Sequence, residues 1–523
     1  MNTKINKIAT LMLGCSLLLG AAGCTDSFED FNTNPKSPTM DQAQGDFAYT
    51  STLIGNMIPI VALGQENAYQ MNDQMIGCEF GRMTAASNMW GQDGMFGTYN
   101  PRLNWQGYLF NDLMPNYMYT PFFKIRDASE SKGLVYHLAN MLRIFGTVRV
   151  SDCYGPTPFS MVGGGGSFQV AYDDMPDLYN AMFEEIDNAI NGLKEAADAN
   201  GEEIFGENDP IYSGNVEKWT KFANTLKLRM AMRLVNVNPT LAKQKAEECV
   251  LDPAGLIESP ADAAWSSFIP GGNALHKVTV LWDEGAVSAD ITSYMNGYND
   301  PRLPLYVKPA SDGSYTGVRN GVYRYSDVKG NNFSAYSKTI YGSTDKLLAL
   351  TASESWFCRA EGALRGWNMG GTAKELYEKG VTVSMEERGA AIGNYLSSTA
   401  TPAKYEALDN PSYSSNPTST VTPAYDENAS FETNLERIIV QKWLGNFPNG
   451  WESWADFRRT GYPKWFPVVN NLANDGVTAA GGMRRLPYPQ SEYNTNSANI
   501  NEAVKMLGGP DNSATNLWWA KKD

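Results

Sequence analysis

The chain has 523 residues, a formal net charge of −15 and 19% charged residues. Acids outnumber Lys and Arg, so there is no cationic excess to neutralise phosphates, which argues against nucleic acid or anionic lipid heads as partners. Aromatic residues reach 12%, with 13 Trp and 27 Tyr, which marks a globular chain rich in stacking surfaces and excludes a disordered one.

At the N-terminus, Lys4 and Lys7 precede an apolar run from Ile8 to Ala22, followed by Gly23 and Cys24. The run is too short to span a bilayer comfortably and reads as a bacterial export signal. Small residues at Ala21, Ala22 and Gly23 before a cysteine match a lipoprotein cleavage box, which would leave Cys24 diacylated as the first residue. Ala21 stands where such boxes prefer leucine, so simple secretion with cleavage nearby is the alternative. The acids Asp26, Glu29 and Asp30 resemble an acidic surface-export tag or, more plainly, form a solvated tether. The expected division is a signal over 1–23, a lipidated acidic tether over 24–40 and one domain over 41–523.

Helical periodicity dominates the chain beyond the tether. The spacing predicts helices at about 132–150, over the stripe Leu178, Met182, Ile186, Ile190 and Leu193, and over Trp219, Phe222, Leu226, Met230 and Leu234 after an Asn215 cap. Further helices are expected at 241–250, 353–366, 372–389 and 432–445. In the pair 353–366 and 372–389, Ala360, Ala363 and Ala373 suit close helix approach, as in tetratricopeptide units, although no repeat of about 34 residues recurs.

Long segments rich in Gly, Asn, Pro and Ser lie between the helices, at 84–121, 259–345 and 395–430. Loops of such length are functional or disordered more often than not. Trp90, Phe96, Tyr99, Trp105 and Tyr108 crowd the first; Trp282, Tyr294, Tyr298, Tyr306, Tyr315, Tyr323, Tyr325 and Tyr336 crowd the second. A flat ring suits the apolar C–H face of a pyranose while its hydroxyls reach Asn, Asp and Arg. For any single ring, packing a loop onto the scaffold is the simpler explanation, and peptides would suit such a surface too.

No catalytic constellation emerges. His137 and His276 are the only histidines; the first sits in an apolar helix as a packed imidazole, and the second lies in a Gly-rich loop with no nucleophile motif. Gly163 to Ser167 lacks the lysine of a phosphate loop and reads as a connection. No segment isolates two carboxylates for glycoside hydrolysis. No cofactor is expected; an oxygen-ligated structural calcium is possible but unplaced, because no loop matches the spaced Asp pattern. Cys78, Cys153, Cys249 and Cys358 are widely spaced; buried free thiols are expected over two disulfides, since a chain of this size needs no staples.

The order of several motifs resembles the SusD/RagB family of nutrient-binding outer-membrane lipoproteins. They are Phe31 to Pro35, Asp152 to Phe159 (DCYGPTPF), Tyr172-Asp173, Trp219 to Leu234, Asn299 to Leu303, Phe357 to Ala363, Gln441 to Trp443, Trp451 to Arg459, Arg484 to Asn494 and Leu517 to Trp519. The resemblance implies a mostly α single domain, built on degenerate tetratricopeptide-like helix pairs with long irregular ligand-binding loops. It implies a non-enzymatic protein, lipid-anchored in the outer membrane and facing the exterior. Such a protein captures an oligomeric nutrient, most simply a glycan, and acts as a lid on a SusC-like TonB-dependent barrel. By position, the family's ligand loops match the two aromatic segments, which gives Arg82, Asn88, Trp90 and Tyr99 from the first and Trp282, Tyr298 and Asn299 from the second as contacts. Asn299 has an alternative role as a cap on the turn at Asp300-Pro301. Arg229 and Arg233 ride one helix face, and Trp443, Trp451 and Trp454 are read as core or barrel-facing packing, so binding is not transferred to them. A peptide-binding member of the family, a surface glycoside hydrolase and a helical adaptor are the competing readings.

Overall fold

Small polar side chains set the ends of most of the amphipathic helices. The computed structural model describes residues 48–86, 95–164, 169–267, 271–322 and 335–521. Among these the long helices are α1 (Gly133–Tyr154), α2 (Met175–Glu195), α3 (Val216–Arg233), α4 (Pro239–Leu251), α5 (Ala289–Tyr298), α6 (Ala352–Leu364), α7 (Ala373–Arg388), α8 (Phe431–Gly445) and α9 (Gly450–Thr460). Asp174, Asn215, Asn238, Ser288, Thr351, Thr372, Ser430 and Asn449 each accept an orphan N–H at a first turn. Thr372 and Glu375 close a reciprocal capping box, and Gly389 ends α7 in the left-handed conformation that a side chain would strain.

Consecutive helices pack side by side: α1 on α2, α2 on α3, α3 on α4, α6 on α7, with α3 and α8 also against α6. This is the stacked helix-pair scaffold that the periodicity predicts. Ala360 is buried but Ala363 and Ala373 are only half buried. Gly380 of α7 also makes a close approach, since a Cβ there would lie 2.8 Å from the Phe357 ring, and Gly362 packs against Met369 of the connection.

Charge is buried across the stack, not left at its surface. Arg229 on α3 pairs with Glu354 on α6 (2.7 Å) and Glu452 on α9 (3.4 Å). Arg233 pairs with Asp152 (3.0 Å) and Glu452 (2.6 Å), and Lys442 bridges Glu452 (2.8 Å) and Asp456 (2.9 Å). Arg459 completes the chain to Glu361 and Asp456. Burial alone would raise the Glu361 carboxyl, but Arg459 and Arg365 overcome it and hold it down at about 2. Burial is likewise outweighed at Glu452, where Arg233, Lys442 and Arg229 keep the carboxyl well below its ordinary range. Trp443 and Trp454 are buried and Trp451 half-buried, as packing residues.

Among the described residues sheet is confined to short antiparallel ladders: β1 (Thr84–Ala86) with β3 (Gly285–Val287), β2 (Ala264–Ser266) with β6 (Leu347–Leu350), and β4 (Val307–Lys308) with β5 (Lys338–Thr339). Two segments read as irregular are therefore partly regular. Segment 84–121 holds a π-helical stretch, Leu109–Tyr119, which accommodates Pro115; segment 259–345 holds α5 and most of the strands. Tyr, Asn, Ser and Gly in α5 hide its helical character, and the Ser288 cap and burial on both faces supply it. Segment 395–430 has only short turns and one bridge, Tyr405 to Ser415. Cys78, Cys153, Cys249 and Cys358 are buried free thiols. His137 is part of a packed aromatic contact with Tyr136, and burial lowers its pKa.

Candidate ligand-binding site

The β1–β3 ladder joins the two aromatic segments. Ala86 pairs with Gly285 and Thr84 with Val287, so the chain arriving from Trp282 enters the ladder opposite the last residue of β1. Ahead of β3, Asn273 caps a short helix, Ala274–His276, that continues as a π-helical turn through Leu281. Trp282 N donates back to Lys277 O (2.8 Å), and Asp283, at φ 55°, swings the chain out into β3. The ring of Trp282 is left at the corner, 41% exposed, the only exposed tryptophan among the described residues. Lys338 pairs with Asp283 and donates to Gly285 O (3.1 Å), and Gln70 donates to Glu284, so the corner is fastened on both sides. Leu281, Leu305 and Ile340 are also exposed. The last two flank Tyr306 and Thr339, which are linked by the Ile340 N to Tyr306 O bond (2.9 Å) and by Thr339 to Thr279 of the same turn (3.1 Å).

The other end of the ladder is closed. Arg82 and Tyr99 both adopt positive φ, are 4% and 5% exposed, and are joined by a bond from Arg82 Nη2 to Tyr99 Oη (2.7 Å). With Phe80, Trp454, Phe457 and Trp465 they wall a small enclosed hollow. Both are spent on each other and on packing. Tyr298 is buried in the core, edge-on to Tyr294 and Tyr395, with its hydroxyl donating to Val421 O (2.9 Å), so it presents no face to a ligand here. Asn299 is exposed at φ 50° and ends α5 by donating its N–H to Asn296 O and Met295 O, which is the capping role. The next residues carry structure as well: Asp300 and Arg302 pair at full burial. Asn88, Trp90, Tyr323, Tyr325 and Cys24 lie outside the described residues. Among the remaining rings of these segments Phe96, Tyr294, Tyr306 and Tyr336 are buried, as loop packing requires.

Beneath the ladder lies a group that the sequence does not single out. Glu79 is 2% exposed; Oε2 accepts from Ala86 N (2.7 Å) and Oε1 from Asn320 Nδ2 (2.9 Å). One acid among 57 carries no local signal of such a role. A hollow lined by Tyr69, Asp73, Arg149, Arg229, Trp451 and Glu452 lies against the helix stack instead, and its cationic and anionic walls already pair with one another. Among the described residues, no cluster of three or more His, Cys, Asp or Glu is placed to hold a metal ion, and no helix is long and apolar enough to cross a membrane.

A family model described as SusD-like, Susd and RagB outer membrane lipoprotein, matches residues 30–520. The fold is similar to a solved SusD-like protein from Bacteroides thetaiotaomicron, with TM-score 0.85 and 36% identity over 91% of this chain and 99% of that one. It is similar to a SusD homolog from Bacteroides uniformis, with TM-score 0.84 and 37% identity over 91% and 99%. It is also similar to a chitin-binding SusD homolog from Flavobacterium johnsoniae, with TM-score 0.85 and 34% identity over 91% and 99%. No curated protein matches the sequence.

Proposed function

Because the chain belongs to the SusD-like family of outer membrane lipoproteins, we propose that it is a non-catalytic capture protein, anchored through Cys24 and facing the cell exterior, that hands an oligosaccharide to a SusC-like barrel. The observation that supports capture is Trp282: a large apolar ring left in water costs hydrophobic free energy, and here it stands on a corner fastened by Lys338 and Gln70, not on a loose loop. A fixed ring with polar neighbours offers a sugar a stacking platform at little ordering cost. The chitin-binding relative makes oligomers of N-acetylglucosamine the first ligands to try.

Calorimetric titration with a panel of oligosaccharides, chitin oligomers among them, and of peptides tests the reading. Saturable binding of one glycan class with no release of new reducing ends supports it. New reducing ends indicate a hydrolase; binding of peptides alone indicates a peptide receptor; no ligand in either set, beside tight association with the barrel, indicates an adaptor. Cys24→Ala should abolish fatty-acid labelling and release the protein from membranes, and persistent labelling would overturn the anchor.

A further inference from the structure

Glu79 touches three of the described segments that flank the ladder. Its Oε2 accepts the N–H of Ala86, the last residue of β1. Its Oε1 accepts from Asn320, whose amide also donates to Thr84 O (3.0 Å) and whose Oδ1 accepts from Ser288 Oγ (2.8 Å), just beyond β3. The turn Phe96–Thr98 sits on the same carboxylate: a Cβ at Gly97 would lie 2.1 Å from Oε1. That turn approaches Gly321 as well, where a Cβ would lie 3.0 Å from Gly97 O. One side chain thus joins β1, the turn that comes after it in sequence and the Asn320–Gly321 segment, and through Ala86 and Gly285 it reaches the strand that carries Trp282's corner. We propose that Glu79 is a positioning residue that fastens the stems of both aromatic segments together and so sets how firmly the ligand face is held; the link to ligand rests on the function proposed above.

A buried carboxyl with two N–H partners and no direct ion pair among the described residues makes this fastening sensitive to pH. Burial pushes Glu79 up to about 7 against the opposing pull of Asn320, Arg82 and Ala86, whereas in water its ordinary value is 4.5. The fastened state therefore holds a proton that the opened, solvated state has released. Its contribution is fully present below the lower value and is lost as pH rises through the upper one. The ionisable groups that act on it are Cys78 and Arg82 on its own segment and Tyr99 from the turn, and beyond Arg82 lie Asp290 on α5 and Arg319 beside Asn320. Burial raises both the Cys78 thiol, to about 12, and the Tyr99 phenol, so neither titrates in the window. Burial also raises Asp290, which makes it the competing source of a transition.

Amide hydrogen exchange on the whole protein, corrected for the intrinsic pH dependence of exchange, reads the opening without any ligand. Between about pH 5 and about pH 8 the opening ratio at Ala86, Gly97 and Asn320 should rise on the order of tenfold to a hundredfold in the wild type, remain flat in Glu79→Gln and still rise in Asp290→Asn. A flat wild-type profile, or one flattened by Asp290→Asn instead, overturns the proposal, and if Glu79→Gln does not fold the comparison of wild type with Asp290→Asn decides between the two carboxyls. Affinity for a chitin oligomer, measured over the same range, should fall with rising pH in the wild type only. Loss of affinity in Trp282→Ala with a flat exchange profile would retain the capture function and sink this inference. A pH-dependent exchange profile in a protein that binds no glycan would do the reverse.

Discussion

In the helix stack, Glu361 and Glu452 are each met by arginine or lysine, whereas beneath the aromatic ladder Glu79 and Asp290 accept mainly from N–H and hydroxyl groups. Their carboxyls accordingly move in opposite directions, down in the stack and up beneath the ladder. A buried charge with a charged partner resists removal of that partner, while a buried carboxyl with only dipolar partners gives way to a change of proton occupancy. The stack is thereby held by charge against charge, while beneath the ladder, among the described residues, a change of proton occupancy has no charge partner to oppose it directly.

The largest effect should come from cutting the centre of the ion-pair chain. Glu452→Ala removes the one carboxylate that Arg233, Arg229 and Lys442 share, leaving three buried cations on Asp152, Glu354 and Asp456 with less anionic charge than they need, and should cost about 3–5 kcal/mol of stability, read by urea denaturation at neutral pH. If the loss is under about 1 kcal/mol, as for an exposed pair, the stack is not held by this network and the comparison fails at its stronger pole.

Acid should act on the same region. Glu361, held at about 2 against an ordinary 4.5, contributes stability that is fully present above the higher value and fades as pH falls through the lower. That contribution is about 3 kcal/mol, on the order of the shift multiplied by its free-energy equivalent. Denaturation midpoints for wild type and Glu361→Gln, tracked from neutral pH into this range, should converge. Parallel curves would deny the linkage. The ladder should show the opposite sense, loosening as pH rises, so the two regions are separable in one pH series.

Much of the scaffold is legible in the sequence and little of the site is. Stripes such as Leu178, Met182 and Ile186 report a buried helix face directly, and Asn215 and Thr372 announce helix starts, because both signals are local. For the approach of α6 to α7 the sequence does not single out Gly380, since which residue of α7 meets Phe357 depends on helix rotation, a tertiary property. Aromatic richness locates the two segments but not the exposed rings: Trp282 and Tyr298 look alike in sequence, and only the corner at Asp283 and the core around Tyr395 separate them. Glu79 is invisible there because its partners, Ala86 and Asn320, are distant in sequence from one another.

Trp282→Ala sharpens the face pole of the comparison. An exposed ring removed from a fastened corner should leave the melting temperature unchanged while weakening the glycan found in the panel by on the order of 1 kcal/mol, roughly tenfold in Kd. A core tryptophan such as Trp219 behaves differently; Trp219→Ala should cost about 3–5 kcal/mol in stability, since it is 1% exposed and donates to Asp209 (2.7 Å). Normal affinity in Trp282→Ala would remove this ring from the site.

The smallest effect is expected at Asn299, where the two regions meet in one residue's two readings. Its φ of 50° and its N–H bonds to Asn296 and Met295 end α5, and the buried Asp300–Arg302 pair comes at once after it. Glycine reaches the left-handed conformation without a Cβ penalty, so Asn299→Gly should change stability by no more than about 0.5 kcal/mol. Asn299→Ala keeps a Cβ but loses the side chain's local bonding and should cost about 1 kcal/mol. A capping residue predicts that glycan affinity is the same in wild type and Asn299→Gly, even though the side chain is gone. A tenfold loss in the glycine variant, with its melting curve intact, would move Asn299 from the end of a helix to the ligand face and extend that face along α5.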